Sequence, residues 1–117
     1  MMQQTSARDG IPQALLKTAR QNGHLKLANR ELMELPESTW KLHKEVTENE
    51  RWWENVDLKA VDLTNNGLEL IPEEAFQGDE ESAWLTVASL RLTNNRLTTL
   101  PEGIGNLHFL RSVYVEK

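Results

Sequence analysis

The sequence predicts an α/β solenoid: short parallel strands on the concave side, an irregular or helical convex side, and a helix laid over the N-terminal end. Three observations carry this expectation. Leu58 to Pro72 (LKAVDLTNNGLELIP) and Val87 to Pro101 (VASLRLTNNRLTTLP) share one arrangement of apolar residues, an asparagine and a closing proline. A weaker copy runs from Leu25 to Pro36 (LKLANRELMELP), with Arg30 at the asparagine position, and a fourth begins at Leu110 (LRSVYV). Ahead of them, Ile11 to Gly23 reads as one amphipathic helix. Recurrence of one unit along a chain is the mark of an array whose stability comes from stacking, because no unit buries its own leucines.

The shared pattern is L-x-x-L-x-L-x-x-N-x-L-x-x-L-P, with Val or Ile allowed at Leu positions. LTNN recurs at 63–66 and 92–95, a shift of 29, and Leu92 to Val115 is a shift of 23. This pattern resembles the leucine-rich repeat, and residues 24–117 hold about three and a half such units, the last truncated. Each part has a physical reason. The pairs Leu25/Leu27, Val61/Leu63, Leu90/Leu92 and Val113/Val115 are alternate residues of a short strand and point to one face. Asn66 and Asn95 turn the chain, and their buried amides are expected to satisfy backbone groups of the neighbouring unit. The proline starts the return on the convex side, where Ile104, Leu107 and Leu110 lead to the next strand.

In the N-terminal helix, Pro12 suits the first turn and Gly23 the end, with Leu15, Leu16 and Ala19 as the apolar stripe and Ile11 extending it. It is the expected lid over the first repeat, which would explain why Arg30 replaces asparagine there. Residues 1–10 are polar, lack the apolar core of a signal peptide, and are expected to be disordered. Two return stretches are long. His43 to Asp57 contains Thr47-x-x-Glu50, a capping-box pattern, and the Trp52–Trp53 pair, read either as an exposed anchor for a partner or as packing between repeats. Gln77 to Trp84 is acidic and reads as a solvated loop, with Trp84 returned to the core.

The helix, the Arg30 variant and the RWWE block at 51–54 together resemble the N-terminal part of the family of leucine-rich repeat-containing protein 40, over Ile11 to Pro101. That resemblance implies an intracellular binding scaffold without catalysis, in a wider class that includes Ras-pathway and cell-polarity scaffolds. The chain departs from it in stopping mid-repeat and in the acidic insertion at 77–84.

Composition bounds the remaining classes. The chain of 117 residues has 13 Lys and Arg against 18 Asp and Glu, a formal net charge of −5, and no cysteine. The basic residues are scattered along the sequence, so neither nucleic acid nor an anionic membrane is the expected partner. Absence of cysteine removes disulfides, thiolate metal sites and thiol nucleophiles, and fits the cytoplasm, with the nucleus also open. His24, His43 and His108 lack metal spacing, and Glu73/Glu74 with Asp79, Glu80 and Glu81 lack that of a calcium loop. No phosphate-binding glycine loop or nucleophile elbow occurs. No cofactor, metal or catalytic residue is therefore expected.

The expected function is a protein-interaction scaffold. The outward strand residues form the concave face, and its middle column is Lys26, Asp62, Arg91 and Tyr114. This column is read either as a polar partner site, with Tyr114 stacked on Arg91, or as a charge ladder that pairs with itself. The alternatives for the whole chain are the recognition part of a larger protein, enzymatic or signalling, and a truncated product. The last strand, at Leu110 to Val115, is expected to leave an uncovered edge that favours self-association.

Overall fold

The computed structural model describes residues 11, 13–42, 54–76 and 82–115. The readings of residues 1–10, of Pro12, of the Thr47-x-x-Glu50 box, of Trp52–Trp53 and of the acidic run 77–81 lie outside them.

One helix, α1 (Gln13–Asn22), precedes four strands: β1 (His24–Lys26), β2 (Ala60–Asp62), β3 (Ser89–Arg91) and β4 (Ser112–Tyr114). They form one parallel sheet in chain order. The register aligns Leu25, Val61, Leu90 and Val113, the four apolar positions that the repeats place in equivalence. Parallel neighbours need a crossover connection. Among the described residues each crossover holds a 3₁₀ turn, Glu37–Thr39, Glu73–Phe76 and Glu102–Asn106, with a further turn at Ala83–Thr86. Pro36 and Pro101 open two of these turns, at φ −66° and −61°, the value the ring fixes.

The first three strands stop after three residues because the next turn is built for asparagine. Asn29, Asn65 and Asn94 take φ of 62°, 60° and 60°, the left-handed region that asparagine tolerates better than most residues. Their side chains link across repeats: Asn94 Nδ2 donates to Asn65 Oδ1 at 2.7 Å, and Asn65 Nδ2 to Asn29 Oδ1 at 2.8 Å. The following asparagine works inside the fold. Asn66 Nδ2 donates to the carbonyls of Leu27 and Leu63, both at 2.9 Å. Its Oδ1 accepts from the N–H groups of Arg30 and Leu32, both at 3.0 Å. Asn95 repeats the device one unit on, donating to the carbonyls of Leu63 and Leu92 and accepting from Leu68 N–H. Each of these amides satisfies groups of its own unit and of the unit before it. At Arg30, where the element before β1 is α1 and not a strand, the backbone N–H donates to Asn66 Oδ1.

Helix α1 lies against β1, with Leu16 and Ala19 fully buried and Ile11 beside them in the core. The helix ends at Gly23, whose φ of +81° closes it and whose N–H donates to the Ala19 carbonyl. Arg20 is also buried and donates from Nη1 to the Leu42 carbonyl at 2.9 Å. Leu25, Leu27, Val61, Leu63, Leu90 and Leu92 form the spine of the core. Trp84 is buried as expected: it meets Phe76 edge to face at 5.8 Å, and its Nε1 donates to the Thr39 carbonyl.

The inward positions of the last strand are the least covered of the four. Val113 and Val115 occupy the inward positions of the fourth repeat, yet they are 37% and 41% exposed. Strand parity orients a side chain, but burial needs a neighbouring layer on both sides.

Candidate functional site

The outward residues of the four strands stand in three columns set by the register. His24, Ala60, Ser89 and Ser112 make the first, and Lys26, Asp62, Arg91 and Tyr114 the second. Ala28, Thr64 and Thr93 continue into the third, each partly exposed. A hollow of about 420 Å³ lies over the first three strands, with His24, Lys26, Ala60, Asp62, Ser89 and Arg91 among its lining residues. Tyr114 stands beyond it on β4, 47% exposed.

The middle column does not neutralise itself. Among the described residues no ion pair joins Lys26, Asp62 and Arg91. Asp62 Oδ1 accepts from the N–H of Thr64 at 3.1 Å, an Asx-type turn that holds the carboxylate on its own backbone. Arg91 instead stands over the Tyr114 ring, its guanidinium carbon 5.1 Å from the centroid. The stacking of Tyr114 on Arg91 is thus present, and the charge ladder is absent. Asn66 and Asn95 are not part of this face. They lie beneath it and fix the strands that present it.

Sequence reading missed two features. One is the amide ladder Asn29–Asn65–Asn94, although the first N of each LTNN and the Asn of LANR were its signal. The other is a groove of about 460 Å³ on the flank, lined by Met33, Glu34, Leu35, Glu69, Leu70 and Pro72. Met33 and Leu70 are 60% and 63% exposed there. They break the repeat's polar expectation at positions the pattern leaves free, so no motif marks them.

Among the described residues no group of three His, Asp or Glu side chains is arranged to hold a metal ion. No helix among them is long and apolar enough to cross a membrane.

Comparison with known proteins bears on this geometry at one place. Residues 86–107 match the family model described as Leucine Rich Repeat. That stretch runs from the 3₁₀ turn at Ala83–Thr86 through β3, the Asn94–Asn95 turn and Pro101 to Leu107, which is one full unit of the array. No solved structure matches the chain. The match and the four-stranded parallel sheet together support a leucine-rich repeat protein with an α/β fold of that type.

Proposed function

We propose that the chain is a non-catalytic protein-interaction scaffold, a solenoid capped by α1, whose partner sits on the concave face at Lys26, Asp62, Arg91 and Tyr114. The observation that supports this is the side-by-side register of these four residues with no ion pair, among the described residues, joining Lys26, Asp62 and Arg91. Groups that do not satisfy one another are available to a ligand, and Arg and Tyr are frequent energetic centres of interfaces. The resemblance of Ile11 to Pro101 to the leucine-rich repeat-containing protein 40 family supports the same reading and extends it to a protein working inside the cell, as a scaffold or as the recognition part of a larger chain.

A second reading is favoured by one observation. Val113 and Val115 are exposed at 37% and 41% on and next to β4, the edge strand, a surface suited to self-association. Arg91→Glu separates the two. The concave-face reading expects binding to a partner recovered by crosslinking to weaken about tenfold or more, with the molecular mass in light scattering unchanged. Unchanged affinity for that partner removes the concave face as the binding site.

A further inference from the structure

Charge is segregated in this molecule in a way its sequence conceals. The strand face and its entry rim, residues 23–26, 57–62, 88–91 and 111–114, carry Lys26, Lys59, Arg91 and Arg111 against Asp57 and Asp62. Lys59 and Arg111 share a hollow at the rim with Asp57 and the exposed Phe109. The exit rim adds Arg30 and Arg96 against Glu31. The return segments, 32–41, 68–76 and 97–107, carry Glu34, Glu37, Glu69, Glu73, Glu74 and Glu102. Their one cation, Lys41, is paired with Glu37 at 3.0 Å. Six basic residues that look scattered along the chain, Lys26, Arg30, Lys59, Arg91, Arg96 and Arg111, therefore lie on the strand face and its rims, in a protein whose formal net charge is −5.

Among the described residues none of Lys26, Lys59, Arg91 and Arg111 has an ion pair with a carboxylate. Asp62, the acid nearest Lys26 and Arg91 in register, is held by Thr64 N–H. The Tyr114 ring fixes Arg91 in place, which lowers the entropy a ligand must overcome to engage it.

We infer that the concave groove takes a carboxylate-bearing segment of a partner protein, with acidic side chains seated on either side of Asp62, at Lys26 and at the Arg91–Tyr114 pair. This rests on the concave-face reading above and names the chemistry of its partner. Complementary charge steers such a segment to this side and repels it from the glutamate-rich return side. Nucleic acid fits less well: it is a long polyanion, and the net charge and the acidic return side oppose its approach.

The test is to pan a random peptide library, displayed on phage, against the full chain. Asp and Glu are expected to be enriched in the selected peptides. Their affinity is expected to fall about tenfold or more with Lys26→Glu and with Arg91→Glu, and to fall as salt rises. Thr98→Glu, exposed in a return segment, is expected to change neither. Thermal melts of the variants separate lost binding from lost folding. Selected peptides that depend on Arg91 yet show no acidic excess would overturn this inference and leave the concave face standing. Peptides indifferent to both charge reversals would overturn the two together. A single-stranded DNA oligonucleotide that binds this face more tightly than every selected peptide would overturn the assignment in favour of nucleic acid.

Discussion

The two ends of the sheet carry the same strand and meet opposite surroundings. At β1, Leu25 and Leu27 are fully buried beneath α1, which supplies Leu16, Ala19 and, ahead of it, Ile11. At β4, Val113 and Val115 hold the equivalent positions and are more than a third exposed. The decline begins one unit earlier. Leu32 and Leu35 of the first repeat and Leu68 and Ile71 of the second are buried, whereas Leu97 and Leu100 of the third are only partly so. The lesson is that a residue's contribution here is set by the layers flanking its repeat more than by its own type, as a nearest-neighbour array requires.

That contrast can be broken most directly by truncating one residue at each end. Leu25→Ala is expected to cost about 3 kcal/mol, because a fully buried leucine leaves a cavity between the helix and the second repeat. Val113→Ala is expected to cost well under about 1 kcal/mol, since much of its surface is already in water. Urea titration of both variants reads the difference. Equal losses would mean that β4 is covered in solution. The asparagines sharpen the comparison at a smaller scale. Asn66→Ala orphans the carbonyls of Leu27 and Leu63 and the N–H groups of Arg30 and Leu32, and is expected to cost about 2–3 kcal/mol in thermal melts. Asn95→Ala, in a less buried setting with fewer partners, is expected to cost about half as much. A more local effect is expected at the helix end. Gly23→Ala puts a Cβ 2.9 Å from the Asp57 carbonyl at a φ of +81°. About 1–2 kcal/mol is expected, read as faster hydrogen exchange at the C-terminal turn of α1.

Much of the fold was legible in the sequence because the repeat writes its register into the chain. Aligning LTNN with LTNN fixes Leu63 against Leu92, and the same alignment pairs Val61 with Leu90 and Asp62 with Arg91. Gly23 and the Leu16/Ala19 stripe marked the helix for equally local reasons. What stayed hidden depends on contacts far apart in the chain. The bond from Trp84 Nε1 to the Thr39 carbonyl spans 45 residues, and that from Arg20 to Leu42 spans 22. Neither follows from spacing. The candidate site was legible as a column of positions, but the state of its charges was not. Whether Asp62 pairs with Lys26 or turns to Thr64 N–H is decided by a competition between a salt bridge at an exposed surface, worth little, and a short-range turn. That Lys26, Lys59, Arg91 and Arg111 share the strand face and its rim was invisible because acidic return segments separate them in the sequence.

The asparagine bonds have a direction. Asn66 and Asn95 reach back to the repeat before them, and the exposed ladder runs the same way, from Asn94 to Asn65 to Asn29. Each unit thus certifies its predecessor and asks nothing of its own asparagine from its successor. An array wired in this way has a grammar of inheritance. A duplicated unit placed after an existing one arrives carrying the amide needed to lock the seam it creates, while the unit that follows α1, with a helix and not a strand at its back, carries Arg30 in that place.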